Sequence, residues 1–229
     1  MPRAFQDYRT LFADLYESVG RMHVMSPNQH RGHGLDHDVT VAQTAVLVAP
    51  DEKTADKAWV AAMIHSTDRL VEPAQLEPTL QMYAGKLVHF FGPAEVTEIL
   101  TAVKRHDKFN ERDDSLTQQV LMDADRLVNL QPLLIVRAGQ HYAHVPAIEV
   151  EHIGKENPNG RSNPASTFRE PRNVLDDIRG SLEWESDPKF CLRLPEAKRR
   201  GAEYFQYLRD FIEKAETPYR ELGLVGIEL

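Results

Sequence analysis

The sequence predicts an all-α fold. Apolar residues recur at helical spacing in most segments. No long run alternates with period two, as a half-buried strand would. Residues that start helices stand ahead of the periodic stretches. In 39–49, Val41, Ala45 and Val48 make one stripe, and Ala42, Val46 and Ala49 make the next. In 55–65, Ala55, Ala58, Trp59, Ala62 and Met63 follow the spacing of a buried helical face. Val96, Ile99, Leu100 and Val103 repeat it, as do Leu116, Val120, Leu121, Leu127 and Val128. Ala202, Phe205, Leu208, Ile212 and Ala215 form a last face near the end of the chain.

Local signals set the boundaries. Asp51 is placed to cap a helix that begins near Glu52. Pro93 precedes the 94–105 helix, where a missing N–H costs least, and Gly92 supplies the turn before it. Pro195 opens the helix that contains Lys198 to Lys214. From about 145 to 173 the pattern breaks, with Pro146, Pro158, Pro164, Pro171, Gly154 and Gly160. A loop of that length is uncommon in a compact domain unless it serves a function or moves. It carries Lys155, Arg161, Arg169 and Arg172. We expect one domain over 1–229 rather than two joined by a linker, because the final helix lacks partners to fold alone. Its core spans about 20–140, a Pro-rich excursion follows at about 145–173, and a C-terminal helical segment covers about 174–229.

Composition narrows the class. The 229 residues carry a formal net charge of -8. Such a surface repels nucleic acid polymers and anionic membranes, yet leaves room for a basic pocket that takes a small phosphorylated molecule. Cys191 is the single cysteine, so no internal disulfide forms, and its apolar flanks suggest a buried thiol. The N-terminus lacks the apolar core of a signal peptide, and no window approaches a membrane span. The expected location is cytoplasmic, as a monomer or homodimer.

Three segments carry chemistry. Gly32-His33-Gly34-Leu35-Asp36-His37 opens the 38–49 helix, Ile64-His65-Ser66-Thr67-Asp68-Arg69 ends the Trp59 helix, and Asp123-Ala124-Asp125-Arg126-Leu127 lies within a helix. Lys104-Arg105-His106-Asp107 lies between the last two. Each sets an imidazole or carboxylate beside an apolar helix, where an unpartnered polar group is costly. Coordination of one ion satisfies several such groups together. Nitrogen and oxygen donors suit Mn, Fe, Co, Ni, Zn or Mg, and the lack of a cysteine cluster argues against structural zinc. Any one segment is a weak signal. His23, His30, His89, His141, His144 and His152 read as ordinary hydrogen-bonding or capping histidines.

The order of these motifs resembles the HD-domain superfamily, whose pattern is H…HD…D. Within it the chain is similar to small bacterial metal-dependent phosphohydrolases. The resemblance rests on His33 to His37, on Ala61-Ala62-Met63-Ile64-His65, on 123–127, and on Leu194-Pro195-Glu196-Ala197-Lys198-Arg199-Arg200. It covers roughly 20–130 well. It implies an HD-type helical bundle, a divalent metal ion, and ligands His37, His65 and Asp125. The fourth ligand of the pattern is the Asp of the His-Asp pair, and Ser66 stands there. Three arrangements follow: Asp68 supplies the carboxylate from three residues along, water fills the position, or no metal binds. Restoring Ser66→Asp is expected to raise metal affinity.

The resemblance also implies hydrolysis of a nucleotide or another small phosphate ester or anhydride. Arg69, Lys104, Arg126 and Arg137 are the expected phosphate contacts. Structural ion pairs to Asp68 or Asp123 are the alternative for Arg69 and Arg126. His106 is the expected proton donor or phosphate contact, with His33 second. The 145–173 loop is expected either to close over the pocket or to be a plain insertion. The alternative to catalysis is a degenerate HD protein that binds a nucleotide or a protein partner. A di-iron oxygenase needs more ligands than the chain offers.

Overall fold

The structure, a computed structural model, describes residues 3–26, 34–155 and 171–227. Among them the chain is all-α, with no strand. Backbone contacts gather it into two compact units. The first comprises 1–107, 111–128 and 193–197, and the second comprises 108–110, 129–192 and 198–229.

In the first half of the chain the helices are α1 (Phe5–Leu11), α2 (Ala13–Met25), α3 (Leu35–Val48), α4 (Glu52–Ile64), α5 (Thr67–Leu70), α6 (Pro73–Leu87) and α7 (Pro93–Arg105). Next come α8 (Leu116–Leu130), α9 (Leu134–His141), α10 (Val174–Gly180) and α11 (Pro195–Glu221), with 3-10 turns at Val150–His152 and Ser181–Glu185. The expected starts hold. The Asp51 carboxylate accepts the Thr54 N–H at 2.9 Å, Pro93 is the first residue of α7, and Pro195 is the first of α11.

Helix α4 is the centre of the first unit. It packs on α3 and α7. Its spacing predicts one apolar face, but Val60, Ala61 and Ile64 are buried along with Trp59, Ala62 and Met63. The C-terminal half of α4, from Ala58 to Ile64, is apolar all round and belongs in an interior, so the single-stripe reading understates its burial. Tyr8 and Phe12 stack on Trp59 with ring centroids 5.2 and 5.6 Å away. Truncating such a buried indole to alanine costs about 3–5 kcal/mol. Glu98 of α7 accepts from Lys57 of α4 at 2.6 Å and from Thr117 of α8 at 2.5 Å. These contacts tie α4, α7 and the start of α8 together through one carboxylate.

In the second unit Leu134, Ala138, Ile153, Leu175, Ile178, Phe205, Leu208 and Ile212 are buried. The base of the Pro-rich excursion is pinned: Val174 N–H donates to the Pro146 carbonyl at 2.9 Å and Leu175 N–H to Ala147 at 3.2 Å. Arg172 bonds Asp176 and the Lys155 carbonyl. Its charge is therefore used at the base of the loop. Arg161 and Arg169 lie outside the described residues, and the expected loop closure falls there too.

Candidate metal centre

Four polar side chains meet inside the first unit, each delivered by a helix end or a buried helix face. His37 lies in the first turn of α3 and is buried. His65 is the C-cap of α4, and His106 is the C-cap of α7. Asp125 comes from α8. His37 Nε2 is 3.3 Å from Asp125 Oδ1, and His65 Nε2 is 3.9 Å from the same oxygen. The His65 ring lies 5.2 Å from that of His37 and 5.1 Å from that of His106.

The two C-cap histidines are held alike. His65 Nδ1 donates to the Ala62 carbonyl at 2.6 Å, and His106 Nδ1 donates to the Val103 carbonyl at 2.7 Å. A carbonyl only accepts, so in both rings Nδ1 carries the proton and Nε2 keeps a lone pair. Nε2 of His106 is buried without a hydrogen-bond partner among the described residues. Burial pushes the His65 imidazole down to about 4, against the pull of Asp38 and Asp125, so the ring is neutral near pH 7. Burial acts to raise the Asp125 carboxyl, but the His37 hydrogen bond and the surrounding imidazoles outweigh it and hold the group well below its ordinary value.

The donor set fits a divalent ion. One donor atom each from His37, His65 and Asp125 lies within 4.8 Å of the others. Two donors about 2.1 Å from one ion sit about 3.0 Å apart in an octahedron and about 3.4 Å apart in a tetrahedron. The observed 3.3 and 3.9 Å need little contraction. Neutral imidazoles with Nδ1 tied to a carbonyl are the usual form of a histidine ligand. The C-terminal ends of α4 and α7 also present partial negative charge.

Ser66 does not stand alone. Its hydroxyl donates to Asp38 Oδ1 at 2.6 Å, and His23 Nε2 lies 2.7 Å from Asp38 Oδ2. Asp38 and Ser66 are both buried. His23 is thus a hydrogen-bonding histidine, with Asp38 as its partner. The signal for Asp38 was present, since it lies three and four residues before Val41 and Ala42, on the buried face of α3.

Solved structures share this architecture. A protein from Lactobacillus plantarum aligns over 93% of this chain and 98% of its own, with 18% identity and a TM-score of 0.66. An HD-superfamily hydrolase from Bacillus thuringiensis aligns over 93% and 98%, with 15% identity and a TM-score of 0.62. The chain has an HD-like fold. No family model and no curated protein matches the sequence. At these identities the HD-like resemblance concerns the fold alone.

Of the expected site residues, His37, His65, Asp125 and His106 come together. Asp68 does not join them. Helix α4 ends at Ile64 and α5 starts afresh at Thr67, so the three-residue spacing from His65 does not carry one helical register, and Asp68 is exposed. Lys104 is exposed and paired with Glu77 at 2.6 Å. Arg69 is half-buried on α5, and Arg126 is buried on α8, where its charge acts on Asp123. Arg137 lies on α9 of the second unit. His33 lies outside the described residues. No described helix is long and apolar enough to cross a membrane.

Proposed function

We propose that this chain is a divalent-metal-dependent phosphohydrolase acting on a nucleotide or another small phosphate ester or anhydride. The observation that carries the reading is the convergence of His37, His65 and Asp125 in one buried group with donor spacings suited to one ion. When bound, the ion supplies a Lewis acid that lowers the pKa of water and polarises a phosphoryl oxygen.

The chain's own residues do the rest. Backbone carbonyls at 62 and 103 hold two imidazoles in one tautomer and one orientation. Asp125 offers a carboxylate that stays ionised. His106 Nε2 accepts a proton and returns it to the leaving oxygen, or contacts a non-bridging phosphate oxygen after protonation. Arg69, close to Ser66 in sequence, and Arg126, next to Asp125, are the proposed phosphate contacts. Lys104 is not retained in that role, because its ammonium is engaged by Glu77 at the surface.

The test is a hydrolysis screen of nucleotides and phosphoesters on protein supplemented with Mn, Co, Ni, Zn or Mg. Elemental analysis is made on the same sample. Metal-dependent release of phosphate or pyrophosphate is expected. Bound metal without any turnover would favour a binding protein, and no bound metal would reject the reading.

A further inference from the structure

The proposed ion faces two neutral imidazoles and one carboxylate. That set leaves a doubly charged cation with one uncompensated positive charge. A second carboxylate lies close by but outside the group. Asp38 is 1% exposed, and each of its oxygens has a partner, Ser66 Oγ at 2.6 Å and His23 Nε2 at 2.7 Å. Asp38 Oδ1 is also 3.6 Å from His65 Nδ1.

The Ser66 hydroxyl has a single proton, and a carboxylate can only accept, so that proton points at Asp38. The oxygen's lone pairs are then directed elsewhere. Ser66 Oγ lies 3.4 Å from His65 Nε2, the ring atom that is not tied to Ala62. That separation equals the roughly 3.4 Å between two donors on one tetrahedral ion. Ser66 itself is fully buried, so bulk water does not compete for it.

We propose that Ser66 Oγ is a fourth cation ligand and that Asp38, through the Ser66 hydrogen bond, supplies the second negative charge of the site. Asp38 is a positioning residue: it orients the hydroxyl and polarises its oxygen, and it does not touch the ion. His23 holds the far oxygen of Asp38 and so fixes the carboxylate plane. Oxygen donors from a hydroxyl and carboxylates favour a harder cation of the Mn, Co, Zn or Mg group. The inference rests on the metal-dependent reading above.

The experiment measures Co(II) binding to the purified full chain by calorimetry, with circular dichroism on every variant. The variants are Ser66→Ala, Asp38→Asn, the double Ser66→Ala/Asp38→Asn, and the exchange Asp38→Ser/Ser66→Asp. Each single variant is expected to weaken binding about 10- to 100-fold, the scale found when a residue supporting a metal ligand is removed. The double variant is expected to lose no more than about the weaker single, because the two residues act as one unit. The exchange, which keeps one carboxylate and one hydroxyl, is expected to bind within a few-fold of the parent. Parent-like affinity in Ser66→Ala or Asp38→Asn overturns the inference, as do losses that simply add. If Asp38→Asn does not fold, Ser66→Ala and the exchange decide. His37→Ala separates the two claims. A parent that binds no cobalt removes the metal reading itself. A parent that binds, and that loses cobalt with His37→Ala but not with Ser66→Ala, removes only the role of Ser66 and Asp38.

Discussion

Asp125 Oδ1 lies 3.3 Å from His37 Nε2, while Asp123, two residues earlier on the same helix, accepts the backbone N–H groups of Arg193 and Leu194 at 2.8 and 2.7 Å. Two residues turn a helix by about 200°, so the carboxylates face apart. Asp125 belongs to the imidazole group, and Asp123 is the anchor of the segment that leads into α11. The pair divides the Asp-Ala-Asp sequence into a site residue and a structural one.

That division predicts opposite phenotypes. Asp123→Ala leaves one buried and one half-buried N–H group without this acceptor and is expected to cost about 1–3 kcal/mol in urea denaturation, with bound metal unchanged. Asp125→Ala is expected to abolish metal binding. Loss of metal from a folded Asp123→Ala protein would contradict the assignment.

His37→Ala is expected to remove bound metal and all metal-dependent hydrolysis while the helical circular dichroism persists. Elemental analysis against the parent gives the answer. Parent stoichiometry in this variant would remove His37 from the ligand set.

Ser66→Asp alone does not simply restore a ligand. The new carboxylate would stand against Asp38, whose Oδ1 is 2.6 Å from the present hydroxyl oxygen. Two carboxylates that close cannot both ionise cheaply. The metal-free variant is expected to melt several degrees below the parent, by about 1–3 kcal/mol. Unchanged melting would show that Asp38 does not press on position 66 as described.

The second unit carries a pH-dependent element. Burial pushes the Asp177 carboxyl up from 3.8 to about 6, although the Tyr142 hydroxyl donates to it. The folded state thus holds the proton more tightly than the unfolded chain. Its contribution is full below pH 4 and is lost as pH rises through 6, an effect of about 3 kcal/mol. Asp177→Asn is expected to flatten the fall in stability between pH 4 and 7 in urea titrations. Parallel curves for variant and parent would refute it.

Lys104→Ala breaks an exposed ion pair with Glu77. Stability is expected to change by less than about 1 kcal/mol, and turnover to stay the same. A large fall in turnover would return Lys104 to the phosphate contacts.

Much of the fold was legible because its signals are local. Asp51 caps α4 through a residue three along, and Pro93 and Pro195 start helices by their own geometry. The ligand trio was legible through motif order, although each motif alone is weak. Asp38 was not read, because an acid in the first turn of a helix looks like a dipole partner. Its partners His23 and Ser66 lie 15 and 28 residues away, and no periodicity links them. What exposes it is a charge on the apolar face of α3. Asp68 failed for the converse reason: a sequence spacing was applied across a helix end.

The acceptors that orient His65 and His106 are main-chain carbonyls. No side-chain exchange at Ala62 or Val103 can delete a peptide oxygen. The aim of both imidazoles is therefore written into where two helices stop, and sequence drift along α4 and α7 leaves it intact as long as those stops hold. An insertion or deletion of one residue ahead of either histidine would swing the ring by about 100° and disarm the centre without touching a single ligand.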